Sequence, residues 1–85
     1  MEKIWSDDAW NSYLYWQQQD KKTVKKINDL VKECERTPIS GTGKPEPLRH
    51  LPGRYWSRRI NEKDRFVYKV EDGKLYIASC KGHYE

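Results

Sequence analysis

Apolar and polar positions along this 85-residue chain repeat with two different periods, which separate a helical first half from a strand-rich second half. Lys3-Ile4-Trp5 reads as a short strand. Ser6 then caps a helix whose first turn holds Asp7 and Asp8, well placed at the positive end of the helix dipole. Trp10, Tyr13, Leu14 and Gln17 follow at i, i+3, i+4 and i+7 and predict one mostly apolar face. Asp20 ends this helix or caps the next one. From Lys21 to about Arg36, the residues Val24, Ile27, Leu30, Val31 and Cys34 recur at helical spacing. Lys21, Lys22, Lys25, Lys26 and Lys32 fall on the remaining arc as a solvated face. So short a break at Asp20 predicts an antiparallel helical hairpin.

Thr37-Pro38 stops the second helix, because the residue before proline disfavours the helical region. Ser40 to Pro47 is predicted as loop. Three strand-like runs come after Leu51-Pro52-Gly53: Arg54 to Ile60, Arg65 to Glu71 and Lys74 to Lys81. The connection Asn61-Glu62-Lys63-Asp64 joins the first two, and Asp72-Gly73, a strong hairpin signal, joins the last two. The expected architecture is β-α-α-β-β-β, an α+β fold with an antiparallel meander sheet against a two-helix hairpin, forming a single domain over residues 1–85.

The Asp72-Gly73 turn pairs Glu71 with Lys74, which sets Arg65 roughly opposite Cys80 and His83 just beyond that end of the sheet. The Asn61–Asp64 turn brings Arg58 and Arg59 to the same end, and their adjacency sends them to opposite faces. A bulge in that turn would flip the face each side chain takes. Glu46 is not placed by pairing; its loop leads into the first meander strand and could fold over the sheet.

Composition narrows the class. Hydrophobic residues make up 35% and charged residues 35%, so the core must be thin. Four Trp, six Tyr and one Phe nevertheless argue for a folded chain, since disordered segments are poor in aromatics. There is no apolar run of the ~20 residues that a membrane span needs, and the N-terminus lacks a signal-peptide pattern. A cytoplasmic protein without membrane attachment is expected. Cys34 and Cys80 are then expected to be reduced, buried thiols. Together with His50 and His83 they lack the close-spaced pairs of a zinc site, so no metal and no cofactor are expected. The glycines around Lys44 do not make a nucleotide-binding loop, because Pro38 and Pro45 stand where that motif needs Gly and Ser/Thr.

The formal charge is +4, and the basic residues concentrate between Lys44 and Arg65. This suits a polyanionic partner. A carboxylate, guanidiniums and an imidazole in one neighbourhood match the needs of RNA cleavage by an internal nucleophile. The ribose 2′-hydroxyl must lose a proton, the phosphorane must be stabilised, and the departing 5′-oxygen must gain a proton. Histidine suits the acid role, with its reference pKa near 6.5. Each residue also has a plainer reading: His83 as an exposed tail residue, Glu46 as a solvated loop carboxylate, the arginines as surface charge. Tyr84 either stacks on a base or packs against the sheet edge.

Several blocks of residues resemble a known family. Ile4-Trp5-Ser6, Tyr13-Leu14-Tyr15-Trp16-Gln17, Val24-Lys25-Lys26-Ile27-Asn28 and Arg36-Thr37-Pro38 occur in order. Gly43-Lys44-Pro45-Glu46-Pro47-Leu48, Trp56-Ser57-Arg58-Arg59-Ile60, Val67-Tyr68 and His83-Tyr84 follow. Over nearly its whole length the chain resembles the YoeB branch of the RelE-like bacterial toxins, ribosome-dependent mRNA endonucleases of type II toxin–antitoxin pairs. The resemblance implies a microbial-ribonuclease-like fold and cleavage of mRNA in the ribosomal A site.

Carried over, Glu46 is the expected general base, His83 the general acid and Arg65 the charge stabiliser. Arg59 matches a phosphate-binding arginine, Arg49 a basic substrate contact and Tyr84 a contact to the substrate nucleotides. The implied partners are the ribosome and its mRNA, a YefM-like antitoxin covering the basic groove, operator DNA through the antitoxin complex alone, and a second copy in a homodimer. Gly82 stands where a bulky aromatic is familiar, Glu85 is an added carboxylate, and Lys63 replaces an acidic residue. Two rivals remain at this stage: a non-enzymatic RNA- or ribosome-binding module, and a subunit serving only in autoregulation with the antitoxin.

Overall fold

The computed structural model describes residues 1–82. A five-stranded sheet, ordered β1-β5-β4-β3-β2, is covered on one face by two helices. The strands are β1 (Glu2–Trp5), β2 (Glu46–Pro47), β3 (Trp56–Arg59), β4 (Arg65–Glu71) and β5 (Lys74–Ser79), and the helices are α1 (Asp7–Gln19) and α2 (Lys21–Arg36). The meander β3-β4-β5 has the expected antiparallel pairing, with Glu71 opposite Lys74. Two edge strands extend it: β1 runs parallel to β5, and β2 adds a fourth strand to the second half, where a loop was expected.

The helix ends follow from side-chain chemistry. The Ser6 hydroxyl accepts from the Ala9 amide at 3.0 Å, capping α1. Asp20 serves both helices. Its amide closes α1 onto Trp16, and its carboxylate starts α2 by accepting from the Lys22 amide and the Thr23 hydroxyl. Thr23, Ile27, Leu30, Val31 and Cys34 form the buried stripe of α2, with Val24 partly buried beside it.

The face of α1 differs from expectation. Ala9 and Trp16 are buried, whereas Trp10 and Leu14 are 46% and 41% exposed and Gln17 is exposed. Trp10 instead packs sideways on Trp5 and Tyr13, with ring centroids 5.9 and 5.8 Å apart. Ala9 is the position where the helix can approach the sheet closely, and the Trp16 indole N–H donates to the Cys80 carbonyl at 2.9 Å inside the core.

Phe66, Tyr68, Leu75, Ile77, Ile60 and Cys80 supply the sheet side of that core. Cys80 joins them through a bulge. Tyr68 pairs with Ile77 but Val67 pairs with Ser79, so Ala78 has no opposite residue and the alternation shifts by one. The Ala78 carbonyl accepts from the Ser6 hydroxyl at 2.8 Å, which locks the bulge to the start of α1. Both cysteines are free and buried, as expected. Among the described residues, no helix is long and apolar enough to cross a membrane.

Candidate functional site

Directly opposed residues of a sheet share a face. Glu46 pairs with Ser57, Ser57 with Val67, and Val67 with Ser79, which makes one row across the sheet. Arg59 and Arg65 form the next row toward the Asn61–Asp64 turn. Both rows lie on the face opposite the helices, since the intervening positions Arg58, Phe66 and Tyr68 point into the core side. Standard strand spacings put the Glu46 Cα about 8 Å from that of Arg59 and about 12 Å from that of Arg65. Glu46 and Arg59 are exposed and Arg65 is half-buried. The short strand β2 achieves this: a two-residue pairing fixes a carboxylate that would otherwise sit on a free loop.

Arg65 is held by the turn beside it. Its Nη1 donates to the carbonyls of Asn61, Glu62 and Asp64 at 2.8, 3.3 and 3.2 Å. The Asn61 side chain in turn accepts from the Lys63 and Asp64 amides, both at 2.7 Å. The expected alignment of Arg65 with Cys80 is corrected: the bulge at Ala78 moves the ladder, and the Arg65 amide bonds to the Gly82 carbonyl at 2.8 Å. The Gly82 amide donates to Asp64 Oδ1 at 2.8 Å. Gly82 has φ +90°, a conformation that favours glycine. His83 and Tyr84, the expected acid and nucleotide contact, lie outside the described residues.

Arg49 follows β2 and is exposed. It lines a cleft of about 650 Å³ with Pro47, Leu48, Arg54, Tyr55 and Trp56. Glu46, Arg59 and Arg65 therefore share one face and one end, with Arg49 three residues after Glu46 on the chain.

The adjacent arginines split as expected, and the residue that faces inward carries a network that sequence reasoning missed. Arg58 is 0% exposed. Its Nε donates to the Tyr68 hydroxyl at 3.0 Å, and Nη1 to Glu33 Oε1 at 2.8 Å and to the Thr42 carbonyl at 3.3 Å. Nη2 donates to the Ser40 carbonyl at 2.8 Å and to the Thr37 carbonyl. Glu33 also accepts from the Thr42 amide. That bond foremost, with Arg58 contributing, holds the Glu33 carboxyl below the usual range. The signal for Arg58 was its place two residues after Trp56 and opposite Phe66, on the apolar side of the alternation.

A helix-backed sheet whose open face gathers a carboxylate and two guanidiniums at one end defines a small α+β protein suited to an anionic ligand. Residues 5–84 match the family described as "YoeB-like toxin of bacterial type II toxin-antitoxin system". Toxin YoeB of Escherichia coli strain K12 is 56% identical over 84 residues, spanning 99% of this chain and 100% of its own length. The YoeB dimer structure from Staphylococcus aureus superposes with a TM-score of 0.93 at 48% identity, covering 99% of this chain and 98% of that one. The toxin in the heterotetrameric YoeB–YefM complex of the same organism gives 0.89 at 48% identity with the same coverage. The chain belongs to the YoeB-like toxins of bacterial type II toxin–antitoxin systems.

Proposed function

We propose that this toxin is a metal-independent endoribonuclease that cuts mRNA in the ribosomal A site and thereby stops translation in the cytoplasm. Glu46 takes the proton from the ribose 2′-hydroxyl, and the freed oxygen attacks the adjacent phosphorus. Arg65 and Arg59 stabilise the charge that accumulates on the phosphorane oxygens, and His83 protonates the leaving 5′-oxygen. The products are a 2′,3′-cyclic phosphate and a 5′-hydroxyl, and no water is consumed. Arg49 and Tyr84 hold the flanking nucleotides.

The observation that carries this reading is the common face of Glu46, Arg59 and Arg65, with Gly82, the residue before His83, hydrogen-bonded to Arg65. With Nη1 of Arg65 anchored to the turn, its Nε–Nη2 edge is the one to meet a phosphate. So open a site supplies little substrate alignment. The ribosome supplies it by holding the message for in-line attack.

The S. aureus relative is found as a dimer and in complex with YefM. On that precedent this chain forms a homodimer, and its antitoxin is YefM-like, covers the cationic face and tethers the pair to operator DNA. The test is to translate a defined message on purified ribosomes, add the protein and map the cut ends. Cyclic phosphate and 5′-hydroxyl ends within the A-site codon are expected. Ends carrying 3′-hydroxyl or 5′-phosphate groups, or stalled ribosomes with intact message, overturn the reading.

A further inference from the structure

We infer that the buried Arg58, paired with the partly exposed Glu33, is a positioning device for Glu46, an inference that rests on the role proposed for Glu46 above. Arginine carries five N–H donors in a rigid plane, and in Arg58 all five bonds are made. Three of the acceptors are backbone carbonyls of one short segment, Thr37, Ser40 and Thr42. The remaining two, Tyr68 and Glu33, bind the same segment again: the Tyr68 hydroxyl donates to the Pro38 carbonyl at 2.5 Å, and Glu33 accepts from the Thr42 amide. Every arm of the guanidinium thus ends, directly or at one remove, on the loop between α2 and β2.

That loop is closed from the other side as well. The Arg59 amide donates to the Gly43 carbonyl at 2.7 Å. Gly41 (φ +114°) lies so close to Glu33 that an added Cβ would collide with the carboxylate, and a Cβ at Gly43 would lie 3.1 Å from the Arg59 carbonyl. Three residues after Gly43 comes Glu46, paired with Ser57. The chain between α2 and the proposed base is therefore hung on one buried cation. Strand β3 uses consecutive residues for the two tasks: Arg58 fixes the approach of Glu46 from behind the sheet, and Arg59 faces the substrate. Lysine could not replace Arg58, since an ammonium offers three donors without the planar fork.

The test measures single-turnover cleavage of ribosome-bound message with Glu33→Gln and Tyr68→Phe, each made alone and on a Glu46→Ala background. It is run with protein in excess, at a temperature where circular dichroism shows each variant folded. Each single change is expected to slow cleavage by about 10- to 100-fold, with ribosome affinity unchanged. On the Glu46→Ala background the same change is expected to alter the residual rate by no more than about twofold, because the group it positions is gone. Equal losses on both backgrounds overturn the inference and leave the role of Glu46 standing. Full cleavage by Glu46→Ala alone overturns the proposed base and the inference with it. Should Glu33→Gln fail to fold, Tyr68→Phe, which deletes one hydroxyl, decides by the same comparison.

Discussion

The amide of Arg65 donates to the carbonyl of Gly82 at 2.8 Å, and Asp64, one residue earlier, accepts from the Gly82 amide at 2.8 Å. Both backbone polar groups of Gly82 are thus held by two consecutive residues at the mouth of the β3–β4 turn. The approach to His83 is set by the same turn that anchors the Arg65 guanidinium.

Asp64→Ala removes the acceptor of the Gly82 amide. Cleavage is expected to fall by about tenfold or more through misplacement of the segment that leads to His83, the proposed acid, with ribosome affinity kept. Amide exchange at Gly82 should accelerate in the same variant. Unchanged exchange together with an unchanged rate would show that the clamp has no bearing on the chemistry.

Glu46→Gln keeps the size and exposure of the side chain and removes its basicity. The cleavage rate is expected to drop by about 10²–10⁴-fold. Salt-sensitive ribosome binding should persist, because the cations Arg49, Arg59 and Arg65 remain. A variant that still cuts at the parental rate would shift the base role away from this strand.

Neighbouring arginines should differ sharply in their contribution to stability. Arg58→Ala removes a fully buried cation, takes the donor from three carbonyls and the Tyr68 hydroxyl and leaves Glu33 with the Thr42 amide alone, for a loss of about 3–5 kcal/mol. Arg59→Ala, at an exposed position, should stay within about 0.5 kcal/mol of the parent. Urea unfolding of the two variants side by side checks the contrast.

Alkaline pH should weaken the fold. Burial pushes the Cys34 thiol up to about 11 from 9.0 and the Cys80 thiol up to about 12. A group whose pKa is higher folded than unfolded lends its full stability below the unfolded value and loses it as pH rises toward the folded one. Stability should therefore hold up to about pH 9 and then decline, by up to about 1.4 kcal/mol per pH unit for each thiol. Urea midpoints measured from pH 7 to 11 test this. A thiol reagent at pH 7 should label neither cysteine before unfolding and both afterwards.

Helix α2 and the β3-β4-β5 meander could be read from the chain because each rests on a local signal: a 3.6-residue stripe from Val24 to Cys34, and the Asp72-Gly73 turn. The buried face of α1 does not follow the hydrophobic pattern, because Trp10 outweighs Ala9 in any such pattern whereas packing favours the small residue against the sheet. Strand β2 has two residues, one of them proline, and so leaves no periodic trace. Its pairing with β3 is what places Glu46. Likewise, β1 pairs with a strand about seventy residues away, which no local pattern encodes. For Arg58 and Arg59, adjacency alone told that they part company; which one turns inward depended on the register with Phe66.

Ala78 has a final consequence for how this chain can vary. Deleting that single small residue would set Ser79 directly after the inward-facing Ile77, so the serine would still face outward and the Cys80 sulfur inward on a ladder without a bulge; what would go is the carbonyl that tethers the Ser6 hydroxyl. Loss of one residue is therefore expected to be tolerated at this point of the last strand, whereas loss of a paired neighbour such as Ile77 is not.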